Sequence, residues 1–220
     1  MTMERTYKGI IFDLDGVLCH TDHYHYQAWK KLADRLEIPF DETDNNRLRG
    51  VSRMESLEII LEKSKVSYSP EEKQKFAEEK NETYKKLLQQ MKPSDISGEV
   101  RETLSLLKSH FSLAVGSSSK NTGLILHKTD MEKYFDAVAD GNDIQNSKPD
   151  PEVFLVAADR LHLSPAECLV VEDAKAGVDA AIAGGFGCTG IGDAAGYDAV
   201  DWPLQNFGEL KKLLPEGEQR

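Results

Sequence analysis

The chain has 220 residues, a formal net charge of −11 and three cysteines, enough length for a large domain or a core domain with a smaller insertion, with no need of disulfide staples. The acidic balance opposes unspecific binding to nucleic acid or anionic lipid, because such binding rests on a basic footprint, and it repels phosphorylated molecules at long range. No signal-like segment opens the chain, no run approaches the ~18 apolar residues of a membrane helix, and Cys19, Cys168 and Cys188 match neither a zinc ribbon nor a redox motif. The expectation is a cytoplasmic monomer with no nucleic-acid or membrane partner. Any anion site must be built locally, from lysines, an arginine, backbone N–H groups and a metal ion.

Gly9 to Leu14 is an apolar run broken only by Asp13, and Gly16 follows, which predicts a buried strand ending in a loop. From about Cys19 to Met91 the pattern changes to long charged helical stretches. Within it Ser69-Pro70-Glu71-Glu72 predicts an N-cap, a proline in the first helical position and acid in the first turn. Phe76, Lys80, Tyr84, Leu87 and Leu88 continue at helical spacing until Lys92-Pro93. Further short apolar runs at Ser112 to Val115, Ala137 to Ala139, Cys168 to Val171 and, more weakly, Cys188 to Ile191 predict strands. Helical patterns lie at Asn121 to Thr129, Pro151 to Leu161, Lys175 to Ala183 and Phe207 to Leu214. This alternation predicts an α/β fold with a Rossmann-like parallel sheet covered on both faces. The core is expected from 1–18 and 92–220, an inserted α-helical domain from 19–91, and a frayed tail from Glu216 to Arg220.

Asp13-Leu14-Asp15-Gly16 sets two carboxylates at i and i+2 where a buried strand meets a loop, so both project the same way. Alone, such a pair is as often a turn former or a calcium ligand. Three more segments place polar groups just after a strand: Ser117-Ser118-Ser119-Lys120-Asn121, Lys148-Pro149-Asp150-Pro151, and Glu172-Asp173. In an open parallel sheet ligands sit at the carboxyl ends of the strands, where these segments would meet. An acid pair, a hydroxyl and N–H cradle, a lysine and a second acid pair suit phosphoryl transfer, in which positioning and charge compensation do most of the work. Mg²⁺ favours a few hard oxygen ligands, so Asp13, Asp173 and a backbone carbonyl could hold it beside a phosphate.

These four motifs in this order resemble those of the haloacid dehalogenase superfamily, and the insertion after the first resembles its helical-cap subclass; the likeness spans nearly the whole chain. The resemblance implies that Asp13 is the nucleophile that becomes an aspartyl phosphate and Asp15 the general acid/base. It implies Mg²⁺ on Asp13, the Asp15 carbonyl and Asp173 with Glu172 alongside, and the transferring phosphoryl group on Ser117 and Lys148. In the cap, Asp22 to Trp29, Arg49-Gly50-Val51-Ser52-Arg53 and Lys80 resemble relatives that act on sugar phosphates. By that likeness Arg53 with Ser119, Lys120 and Asn121 grips the non-transferring phosphate, and Gly50, Val51 and His25 line the sugar pocket. Ser52, Trp29, Lys80 and Ser118 complete the substrate-binding set, and Thr21 sits in the hinge. The implied activity is a mutase that moves phosphate within a hexose phosphate, with a phosphatase of the same fold as the alternative. His25 and Trp29 at i and i+4 also suit plain core packing. Ala174, where a serine is frequent, and Ser97-Gly98, where Pro-Gly is common, depart from the family pattern.

Overall fold

The computed structural model describes residues 6–48 and 51–215; the predicted pocket residue Gly50, its neighbour Arg49 and the tail Glu216 to Arg220 lie outside them. The chain divides into two compact units, one from Met1–His20 with Lys92–Arg220 and one from Thr21–Met91.

In chain order the regular elements are β1 (Gly9–Phe12), α1 (Asp22–Arg35), α2 (Glu42–Asn46), α3 (Arg53–Leu61), α4 (Pro70–Leu88), α5 (Gly98–Leu107), β2 (Ser112–Gly116), α6 (Thr122–Lys128), β3 (Ala137–Ala139), α7 (Glu152–Arg160), β4 (Cys168–Glu172), α8 (Lys175–Ala183), β5 (Gly187–Gly190) and β6 (Trp202–Pro203). The strands form one six-stranded sheet of order β3-β2-β1-β4-β5-β6, and every neighbouring pair is parallel. This is a Rossmann-like, doubly wound order: the chain winds from β1 outward through β2 to β3, then crosses back to place β4 on the other side of β1.

All four residues of β1 are buried, as a strand covered on both faces requires. Successive side chains point to opposite faces. Ile11 joins the cluster of Val153, Phe154 and Ala157 from α7 and Val178 and Ala181 from α8, whereas the Phe12 ring lies 5.7 Å from that of Phe207. Gly116 ends β2 without a side chain because a Cβ there would run into the Phe154 ring and Ile11.

The helical unit is α1 to α4, with α4 packed against α1 and α3. Its core is Trp29, Leu32, Ala33, Ile38, Phe40, Leu48, Leu57, Ile60 and Ala77. Ser69 caps α4: its hydroxyl accepts from the Glu72 N–H at 3.2 Å while the Glu72 carboxylate accepts from the Ser69 N–H at 2.8 Å, with Pro70 in the first turn.

Three local readings change. Phe207–Leu213 is a 3₁₀ helix rather than an α-helix. The helix α5 was not anticipated, although Val100, Leu104 and Leu107 repeat on one face and Ser97 caps it through the Val100 N–H at 3.2 Å. The last predicted strand begins one residue earlier, at Gly187, and a two-residue β6 extends the sheet beyond it.

Candidate active site

The carboxyl ends of β1, β2 and β4 are neighbours at the point where the strand order reverses, so residues just past them share one rim. Asp13 continues β1, its N–H donating to the Val171 carbonyl at 3.0 Å, and its side chain is buried. Lys148, in the loop after β3 and buried at 7% exposure, donates from Nζ to Asp13 Oδ1 at 2.5 Å and to Glu172 Oε1 at 2.5 Å. The other Glu172 oxygen accepts the N–H groups of Asp173 and Ala174, each at 2.9 Å. Gly177, in the first turn of α8, leaves the space the Glu172 carboxylate fills, and a Cβ on it would collide with that group.

Burial raises the Asp13 carboxyl well above its ordinary pKa, and the charges of Glu172 and Asp173 add to this while Lys148 opposes it. Burial works against the Lys148 ammonium, yet Asp13 and Glu172 raise its pKa above the ordinary lysine value. Ligand atoms of Asp13, Glu172 and Asp173 lie within 4.8 Å of one another. Three carboxylates so close, one of them with its pKa raised by burial and by its acidic neighbours, fit a hard divalent cation.

After Asp13 the chain turns sharply. Asp15 bridges to Cys19, the Gly16 N–H donates to the Cys19 carbonyl at 2.7 Å, and Gly16 has φ 83°, with the Asp173 carboxylate where its Cβ would stand. Ser117 follows β2 and is buried; its Oγ accepts the Ser119 N–H at 3.2 Å, and Ser119 Oγ accepts the Asn121 N–H at 3.3 Å. Ser118 Oγ accepts the Lys148 N–H at 3.5 Å, Asn121 is buried at the start of α6, and Lys120 is exposed. Asn142 ties this loop to the one after β3, donating from Nδ2 to the Lys120 carbonyl at 3.1 Å and to Asp140 at 2.9 Å.

In the helical unit a second group gathers. Lys80 is buried on α4, with Nζ 2.9 Å from His25 Nδ1, 4.7 Å from the Trp29 ring centre and 4.6 Å from that of Tyr84. Burial first, then the charges of Lys80 and Arg53, hold the His25 imidazole well below its ordinary pKa. Thr21 is fully buried, its hydroxyl 2.9 Å from that of Tyr84. Trp29 belongs to the helical core, and Val51 packs against it. Ser52 is the cap of α3, paired with Glu55 in both directions, and Arg53 is its half-buried first residue, with its pKa lowered by burial.

Two residues of these groups were not singled out from the sequence as site residues. Tyr84 follows Lys80 by one helical turn, a spacing that links them; Asn142 sits in a turn whose partner loop no local pattern names. The Ala174 departure leaves α8 without a side-chain cap.

Residues 7–185 match the family described as haloacid dehalogenase-like hydrolase. The chain is 40% identical over 213 residues to the beta-phosphoglucomutase of Bacillus subtilis, covering 95% of this chain and 94% of that protein. It is 35% identical to a phosphorylated carbohydrates phosphatase of Thermotoga maritima, covering 96% of this chain and 91% of that one. The crystal structure of a beta-phosphoglucomutase from Clostridium difficile superposes with a TM-score of 0.85 at 36% identity, covering 93% of each chain. The chain belongs to the haloacid dehalogenase-like hydrolase family.

Proposed function

We propose that this chain interconverts β-D-glucose 1-phosphate and glucose 6-phosphate through an aspartyl phosphate on Asp13 and a β-glucose 1,6-bisphosphate intermediate. The observation that carries the reading is the buried Asp13 carboxylate at the sheet's switch point, held by Lys148 and with Glu172 and Asp173 close beside it. A carboxylate with an ammonium group beside it, and carboxylates near enough to hold a divalent cation, can accept a phosphoryl group; one surrounded only by other acids would repel it.

In the first half-reaction Asp15 takes the proton of the sugar 6-hydroxyl as O6 bonds to phosphorus and the phosphorus–oxygen bond to Asp13 breaks. In the second, the intermediate has turned over, Asp13 attacks the phosphorus on O1, and Asp15 returns the proton to O1 as glucose 6-phosphate leaves. Lys148 and Ser117 hold the moving phosphoryl oxygens, and Arg53 with Ser119, Lys120 and Asn121 grips the phosphate that stays. An arginine suits that task because its planar fork meets two phosphate oxygens at once. His25, Lys80, Val51 and Gly50 contact the sugar; Thr21 is the hinge of the helical unit. Asp13, Asp173 and the Asp15 carbonyl, with Glu172 beside them, would hold Mg²⁺, which would supply charge compensation for the phosphoryl group.

The choice of a sugar hydroxyl over water as acceptor is supported by the Bacillus relative, whose likeness runs through both units. The Thermotoga relative supports a second reading, a sugar-phosphate phosphatase. We also place the protein in the cytoplasm as a monomer without nucleic-acid or membrane partners, in keeping with the acidic charge and three buried free cysteines. Among the described residues no helix is long and apolar enough to cross a membrane. Phosphorus NMR on β-glucose 1-phosphate with Mg²⁺ and a trace of bisphosphate tests the reading. Glucose 6-phosphate should accumulate; stoichiometric inorganic phosphate in its place would defeat the mutase.

A further inference from the structure

Thr21 and His25, one turn apart at the start of α1, and Lys80 on α4 each meet Tyr84. Tyr84 is 1% exposed. Its ring centre lies 4.1 Å from that of His25 at a 39° tilt and 4.6 Å from Lys80 Nζ, and its hydroxyl lies 2.9 Å from Thr21 Oγ1. An ammonium group has only donors, so at 2.9 Å from Lys80 the His25 Nδ1 is the acceptor. The ring proton of His25 therefore resides on Nε2. The imidazole stays neutral because burial and the nearby positive charges disfavour a further proton. A flat aromatic face suits both neighbours, since it packs against one ring at a tilt and attracts a cation over its centre.

We propose that Tyr84 is the positioning residue of the helical unit, holding the Lys80 ammonium and the His25 Nε2–H in one fixed arrangement for a sugar phosphate. This rests on the mutase reading for the substrate, though not for the arrangement itself. The ring faces His25 and Lys80 while the hydroxyl meets Thr21, so changing each separately has different consequences.

The test uses the full chain with Tyr84→Leu and Tyr84→Phe. Three readouts are taken: the ¹⁵N NMR signature of His25 in the free protein, KM and kcat for β-glucose 1-phosphate, and hydrolysis of acetyl phosphate, which needs only the core rim. Tyr84→Leu should lose the single Nε2–H signature and raise KM about tenfold, with acetyl phosphate hydrolysis within about twofold of wild type. Tyr84→Phe should keep the signature and most of the affinity. The proposal is overturned if the leucine variant keeps both signature and KM, or if it loses both activities equally. It is also overturned if the phenylalanine variant, which preserves the ring, already loses the signature; that result decides the matter even where the leucine variant does not fold. Should the wild type show no mutase turnover, the substrate reading fails, while the His25 signature still decides the role of Tyr84.

Discussion

An ammonium group shut away from water is costly unless opposite charge faces it, and Lys148 has two carboxylates, Asp13 and Glu172. Elsewhere a buried polar group is less well served: the Thr103 hydroxyl is fully buried on α5 with no hydrogen-bond partner among the described residues. An orphaned buried hydroxyl costs about 1–3 kcal/mol, and valine has nearly the same shape. Thr103→Val should raise unfolding stability by about 1 kcal/mol in urea titration, and a loss would show that the hydroxyl is satisfied in solution. His25 gives a pH dependence of definite sign. Its folded pKa lies below the ordinary value, so below about pH 6.5 the unfolded chain binds a proton that the folded one refuses. Stability should therefore fall as pH drops through that region, more steeply for wild type than for His25→Gln. Equal slopes in thermal unfolding would contradict the neutral, half-buried imidazole. The acid pairs and Ser117 were legible in the sequence because each sits just past an apolar run, and Lys148 because Lys148-Pro149-Asp150-Pro151 precedes a helix in the loop after β3. The Lys80, His25 and Tyr84 contacts were not, because they join α1 to α4 across about 55 residues of chain and no local pattern records them.

The elements divide in the same way. Helix α4 was legible because its cap, its proline and its spacing agree, and β1, β2 and β4 because buried parallel strands are continuous apolar runs. The segment Phe207–Leu213 has helical spacing in sequence, but in the fold Gly208 lies against Glu99 and the coil tightens to 3₁₀. A strand as short as β6 has too little pattern to read. Helix α8 yields a prediction that runs against propensity. Gly177→Ala should stabilise an isolated helix by about 1 kcal/mol. Here the new Cβ would displace the Glu172 carboxylate, and with it the group that seats Lys148. The variant should lose stability in urea and lose turnover; unchanged turnover would show that the Glu172 seat is dispensable.

Across the whole molecule, a parallel sheet collects the groups assigned to the moving phosphate, while an inserted helical unit carries those assigned to the sugar and its distal phosphate. Arg53 belongs to the second set. Arg53→Ala should lower mutase kcat/KM by about tenfold or more and leave acetyl phosphate hydrolysis within about twofold, and equal losses would contradict a role in gripping the distal phosphate. The central claim is that Asp13 itself takes the phosphoryl group, and it is tested most directly by acid-quenching the enzyme with β-glucose 1,6-bisphosphate and Mg²⁺ and mapping the modified peptide by mass spectrometry. The account predicts one added phosphoryl group on the peptide bearing Asp13, and none in Asp13→Asn. Phosphate on any other residue, or a modified and active Asp13→Asn enzyme, would contradict it.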